Sequence, residues 1–439
     1  MAIRMTSPGD QQSCVVLTPE QSSGPQIVLP ASPAAPPDYR EILHRYGRQD
    51  MRFVPASSIR LLVDGAQAFP PMLSAIDGAE REVALETYIL RDDATGRTFQ
   101  QALIRAAARG VGVRLLYDWL GSFGLPASFL DELVRSGVAV AAYHPLVLHR
   151  PMWALNQRDH RKMLIVDGQV SFTGGLNLAD EYVATQSGGP GWRDTHVRLD
   201  GPEVAQEMAG LFGYAWRRAV PYHQTLTRRA MLTWGMRRRL TAWRQKAGRP
   251  GAAPCPGNLP VSIVGNEEVR FRRRIRLAHL KAICSAQRYV LIENAYFIPN
   301  RSVRRALINA ARRGVVVAVV VTAKSDVPIV AYATRWLYGA LLSGGVRIFE
   351  WSVSMMHAKT AVFDDSWTII GSYNFDRRSL LHQLESVAVV ADPGLAVQLR
   401  DQTLADISRC SEVRLDVHQR RPWWKKTLEY LAYLLRHWL

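Results

Sequence analysis

The sequence predicts an α/β chain made of two homologous halves packed face to face around one shared site. Three observations carry that expectation. From about residue 51 onward, helix-patterned segments alternate with strand-patterned ones, as in an α/β domain with helices on both faces of a sheet. Blocks of the first half return in the second with their spacings kept. The stretch that joins the copies, 216–258, resembles neither.

Residues 1–50 are rich in Pro, Ser and Gln, as in "LPASPAAPPDYR" (29–40), and this composition predicts disorder. The first half, 51–215, opens with a helical pattern over Ala66–Gly78 and a strand, "EVALETYIL" (82–90). An Ala-rich helix follows over Thr98–Arg109 and is stopped by Gly110. Then come a strand, "VGVRLLYD" (111–118), a helix over Ala127–Ser136 ended by Gly137, and a strand, "VAVAAYH" (138–144). In the second half, 259–412, "VLIENAYFI" (290–298) answers "VALETYIL" (83–90), and "ALINAARRGVVVAVVVT" (306–322) answers "ALIRAAARGVGVRLLYD" (102–118). The longest apolar run, Val315–Ala323, is too short to span a bilayer, and its β-branched residues mark a buried strand.

A formal net charge of +17 predicts attraction to polyanions, either nucleic acid or an anionic membrane surface. Cys14, Cys255, Cys284 and Cys410 are scattered without metal-binding spacing and are expected to be reduced thiols in a cytosolic compartment. No apolar run has the length of a signal or transmembrane segment, so membrane attachment is expected to be peripheral. Arg217–Arg249 carries ten Arg or Lys and no acid, interleaved with Trp234, Trp243 and Met residues. It is either a solvated linker or a segment lying among anionic headgroups, and the second suits its Trp and Leu better. The tail 413–439 ends in "WWKKTLEYLAYLLRHWL", with Leu428, Leu431, Leu435 and Trp438 on one helical face. It is either a helix capping the second domain or a membrane contact.

The chemistry lies in a repeated motif. "RDHRKMLIVDGQVSFTGGLN" (158–177) returns as "HAKTAVFDDSWTIIGSYN" (357–374). His160, Lys162, Asp167, Gly174 and Asn177 precede His357, Lys359, Asp364, Gly371 and Asn374 by one constant offset of 197. Residues two apart on a strand share a face, so each His and its Lys point the same way. Asp167-Gly168 is a hairpin-turn signal, which puts Asp167 off that face; Asp364 is read in the same way, as a turn or salt-bridge residue. One copy is a weak anion site. Two copies supply paired lysines for the charge that builds on a phosphodiester, and paired histidines for attack and leaving-group protonation. No carboxylate cluster has metal-ligand spacing, so neither metal nor cofactor is expected.

These residues resemble the phospholipase D superfamily. "WRDTHVRLDGPEV", "ENAYFIPN", "SDVPIV", "LLSGGVRIFEW" and "RRSLLHQLESVAVV" extend the resemblance, over about 55–435, to the bacterial cardiolipin synthases of the shorter type. That resemblance implies two phospholipase D-like α/β/α sandwiches sharing one active site. It implies transfer of a phosphatidyl group between phosphatidylglycerols through a phosphatidyl-histidine on His160 or His357, with the other as general acid. It places Lys162, Lys359, Asp167 and Asp364 in the catalytic set, and Asn177, Ser372 and Asn374 at the substrate phosphate. Gly175 stands where Ser372 stands in the second copy. Asp194 and Glu385 are implied to hold the histidine rings through Nδ1. Glu86 and Glu293, in equivalent apolar strands, are buried carboxylates in need of partners, catalytic or structural. Hydrolysis by water and nuclease action remain competing readings. Intact His, Lys and Asn in both copies count against an idle binding protein. Trp and Leu among the basic residues count against nucleic acid, so the expected partner is an anionic phospholipid membrane, met peripherally on its cytoplasmic side.

Overall fold

The computed structural model describes residues 24–32, 37–145, 157–184, 191–222, 259–267 and 271–437. Most of the basic joining segment, Trp438, Cys14 and Cys255 lie outside the described residues.

Each half centres on a mixed sheet. In the first, three parallel strands, Glu82–Thr87, Gly112–Asp118 and Ala139–Tyr143, continue into antiparallel Met163–Val166, Val170–Gly174, Thr195–Asp200 and Ser58–Val63. The second repeats the plan with parallel Tyr289–Asn294, Val316–Thr322 and Arg347–Trp351, then antiparallel Lys359–Phe363, Trp367–Gly371, Ser386–Val390 and Leu259–Gly265. Val54–Ala56, which precedes the first sheet in sequence, pairs onto the edge of the second.

The period of two along each strand sorts side chains between cores. Val83 and Leu85 enter an outer cluster with Val113 and Leu115, while Ala84 faces inward with Leu116. In the second half Val317, Val319 and Val321 point outward, and Ala318 and Val320 inward. The inward residues of both sheets, with the helices Pro202–Trp216 and Pro393–Ile407, form one central cluster. Because that cluster draws on both halves, the fold closes only when they pack together. Each large aliphatic side chain buried there contributes about 1.5–3 kcal/mol.

The expected disorder of 1–50 does not hold for Tyr39–Tyr46, which is a helix. Ile42 and Tyr46, one turn apart, are buried in the outer cluster of the second half. The Tyr46 ring stacks on Trp367 at 5.5 Å, and its hydroxyl donates to Asp364. The tail forms the helix Trp423–Leu434, packed with one face on the second half. Glu429 and Ala432 are buried, and Tyr430 meets Trp336 of the helix Pro328–Ser343. Leu428, Leu431 and Leu435 remain about half exposed.

Candidate active site

Backbone pairing between the halves builds the centre. Arg158–Asp159 runs parallel to Gln383–Leu384, and the His160 N–H donates to the Leu384 carbonyl at 2.9 Å. Reciprocally, Arg193 bridges to Met356, and the His357 N–H donates to the Arg193 carbonyl at 2.7 Å. Leu384 and Arg193 each immediately precede a carboxylate residue, so each histidine is brought beside the carboxylate of the opposite half. His160 Nδ1 lies 3.1 Å from Glu385 Oε1, and His357 Nδ1 lies 2.7 Å from Asp194 Oδ2. A ring whose Nδ1 proton is held by a carboxylate turns its Nε2 toward substrate.

The four motif side chains are buried: none of His160, Lys162, His357 and Lys359 is more than 5% exposed. Lys162 Nζ donates to the His160 carbonyl at 2.6 Å and sits over the Tyr88 ring; Lys359 donates to the His357 carbonyl. Burial lowers Lys162 to about 7 and Lys359 to about 8, despite the pull of Glu385 and Asp194. Burial, reinforced by both lysines, holds His160 well below the ordinary imidazole value and His357 at about 4.

The two carboxylates differ. Burial would raise Asp194, but Lys359, His357 and the Thr195 N–H outweigh it and hold Asp194 below the usual carboxylate range. Burial pushes Glu385 up to about 8. Yet Ser372 and Ser379 hydroxyls both donate to its oxygens and Lys162 lies nearby, a setting that favours the ionised form once Lys162 is charged. Their hydroxyl contacts also differ, although the serine bonds to Glu385 act against its upward shift. A side chain at Gly175 would run into the shorter Asp194 carboxylate, whereas at the equivalent position Ser372 bonds to the longer Glu385.

Several expected site residues have other work. Asp167 and Asp364 leave the catalytic set: they lie at the far ends of the strands that begin beside Lys162 and at Lys359. Asp167 takes the left-handed conformation with Gly168, and its carboxylate accepts from the N–H groups of Glu80, Arg81 and Glu82. Asp364 accepts from Gln287, Arg288 and Tyr289. The Asn177 oxygen accepts from Ile89 N–H, and its amide donates to the Tyr182 hydroxyl, itself 3.3 Å from His357 Nδ1. Ser372 is likewise occupied by Glu385. The Asn374 amide oxygen is buried with no partner among the described residues. Glu86 pairs with Arg161 at 2.8 Å, and Glu293 accepts from Thr360 and lies 3.6 Å from Arg193, so both have structural partners.

Sequence reasoning missed Ser379, Tyr182 and Arg193. Arg193 crosses the interface to Asp406 at 2.7 Å. None of the three carries a spacing signal. No group of His, Cys, Asp and Glu among the described residues could hold a metal ion, and no helix among them is long and apolar enough to cross a membrane.

A family model described as "Cardiolipin synthase, PLD-like domain" matches residues 72–216 and 279–407, one span in each half. The chain is similar to "Cardiolipin synthase B" of Shigella flexneri, 34% identical over 388 residues, covering 87% of this chain and 88% of that one. It is similar to "Major cardiolipin synthase ClsA" of Bacillus subtilis, 32% identical over 383 residues, covering 87% and 76%. Among solved structures, the phosphatidylserine synthase of Haemophilus influenzae superposes with a TM-score of 0.67 over 91% of this chain and 100% of that one, at 14% identity, a likeness of fold.

Proposed function

The chain belongs to the cardiolipin synthase, PLD-like domain family, and from that premise we propose that it transfers a phosphatidyl group between two phosphatidylglycerols. The products are cardiolipin and glycerol. One observation carries the mechanism: both histidines have Nδ1 bound to a carboxylate and Nε2 left for chemistry.

His160 Nε2 attacks phosphorus, and the bond from phosphorus to the glycerol oxygen breaks as His357 gives that oxygen a proton. Glycerol leaves, and the phosphatidyl group stays on His160. His357, now neutral, takes the proton of an incoming phosphatidylglycerol hydroxyl. That oxygen attacks phosphorus, the N–P bond breaks, and both histidines return to their starting forms. Lys162 and Lys359 hold the non-bridging oxygens, with Asn374 beside them. The firmly ionised Asp194 favours an imidazolium at His357, which supports His357 as the acid and His160 as the nucleophile. His357 at about 4 is mostly neutral before substrate binds; an arriving phosphodiester anion opposes the lysine charge and raises it.

The substrate is met at a phosphatidylglycerol-containing membrane, bound peripherally on its cytoplasmic face. The exposed leucines of the C-terminal helix support peripheral contact. Incubation with phosphatidylglycerol vesicles, with products resolved by mass, tests the reading. Cardiolipin and glycerol are expected; phosphatidic acid alone would make the protein a hydrolase.

A further inference from the structure

A second concave site lies outside the catalytic centre. It is a groove of about 230 Å³ in the second half, bounded by the helices Arg274–Ser285 and Arg301–Arg312, the segment following the second motif, and the end of the C-terminal helix. Neither motif histidine nor lysine lines it. The chain separates the two places by alternation: Ser372 reaches Glu385 in the centre, while Tyr373 and Phe375 line the groove.

Its charge is one-sided. Arg276, Arg301, Arg304, Arg377 and Arg436 surround it, and none has a carboxylate partner among the described residues. Arg276 Nε is buried without any hydrogen-bond partner. Other arginines of this half are paired, as Arg335 is with Glu350 and Arg347 with Glu412. The one carboxylate on the lining, Asp376, is turned to cap the helix Arg377–Leu381, accepting from Ser379 N–H at 2.7 Å. The N-terminus of Arg301–Arg312 opens on the same space and adds positive potential. Converging guanidiniums repel one another unless an anion sits between them, and their planar forks match phosphate oxygens.

Its size and walls narrow the ligand further. The volume is below the roughly 300 Å³ at which pockets for whole drug-sized ligands begin, so a headgroup fits and acyl chains do not. Ile298, Val303, Phe375 and Leu380 make much of the wall apolar. Tyr433 and Arg436, on one side, belong to the C-terminal helix and the turn after it. Leu428, Leu431, Leu434 and Leu435 of that element are 45–51% exposed, a surface on which hydrocarbon chains leaving the groove would lie.

We propose that this groove binds the phosphate of an intact anionic phospholipid that is not turned over, its acyl chains lying against the exposed leucines of the C-terminal helix, so that the lipid docks the protein on its membrane. The proposal rests on the phospholipid reading only for the class of ligand, and its test needs no turnover.

In a His160→Ala background, binding of monomeric dihexanoyl-phosphatidylglycerol is measured by calorimetry. Two sites per chain are expected, and Arg276→Gln with Arg304→Gln should leave one. The corresponding Lys pair should keep both, and matching thermal unfolding would confirm that the Gln pair folds. With His160 intact, the Gln pair should weaken sedimentation with phosphatidylglycerol vesicles roughly tenfold, the loss of about one charge-assisted contact. Turnover of detergent-dispersed substrate should be unchanged. Inorganic phosphate, glycerophosphoglycerol and dihexanoyl-phosphatidylcholine are the comparison ligands, each expected to bind the groove more weakly. Retention of both sites by the Gln pair, or binding of inorganic phosphate as tight as that of the lipid, would overturn the proposal. A groove that binds lipid on a chain that makes no cardiolipin would refute the transfer reading and leave this one standing.

Discussion

His160 is oriented by Glu385, 225 residues further along the chain and in the opposite half, across a contact of 3.1 Å. His357 is oriented by Asp194 in the reverse sense, at 2.7 Å. Neither half therefore holds a competent histidine by itself. Glu385→Gln and Asp194→Asn should each lower kcat by roughly 10²-fold or more, because the ring loses its fixed tautomer. NMR of labelled histidines checks the crossing: Asp194→Asn should move the His357 resonances and spare those of His160. The opposite pattern would refute it.

The two histidines act as one unit. His160→Ala and His357→Ala should each abolish turnover, and the double variant should be little worse than either. Activity above ~1% in a single variant would contradict the shared site. Denaturation during turnover without acid should trap the phosphatidyl group on the peptide containing His160; an adduct on the His357 peptide would reverse the assignment.

The pH profile follows from the buried lysines. A lysine whose value is lowered loses its charge at lower pH than usual, so phosphate binding weakens as pH rises. kcat/KM, which reports the free enzyme, should fall as pH rises through about 7 for Lys162 and again through about 8 for Lys359. kcat should persist to higher pH, because the bound phosphodiester favours the ammonium forms. A kcat/KM that stays level through both values would remove the lysines from phosphate binding.

Gly175 is a test of fit. Gly175→Ser would press on the Asp194 carboxylate and displace the ring it holds. A displacement of this kind costs on the order of 10²-fold in rate. Ser372→Gly, which removes one of two hydroxyls on Glu385, should cost less. Comparing kcat for the two, with unfolding midpoints as a control, checks the inequality.

Membrane binding should have two separable parts. Leu428→Ser with Leu431→Ser should remove the salt-resistant part of vesicle sedimentation, since a buried leucine contributes about 1.5–3 kcal/mol regardless of ionic strength. Arg237, Arg238 and Arg239 to Gln should remove salt-sensitive binding, because charge attraction decays over about 10 Å at 0.1 M salt. If the leucine pair leaves binding in high salt unchanged, the C-terminal helix does not enter the membrane.

Local chemistry was legible because it depends on neighbours in sequence. Asp167-Gly168 reads as a tight turn and forms one, with both residues left-handed. The apolar segment around Leu85 and the β-branched run around Val319 read as strands and are strands. Composition misjudged Tyr39–Tyr46, since the surface that orders Tyr46 includes Asp364, 318 residues away. The hydrogen-bond partners of Asn177 and Ser372 were not legible, because an amide or hydroxyl binds whatever the fold brings near it. Here that was Tyr182 for one and Glu385 for the other.

By itself the sequence determined the residue types, the doubling and the anion chemistry, because side-chain character and periodicity are properties of the chain. Only the tertiary structure decided which carboxylate serves which histidine. A hydrogen bond requires about 3 Å between its atoms whatever their separation in sequence. Pairing of Leu384 with Asp159, and of Arg193 with Met356, sets that distance across the interface rather than within either half.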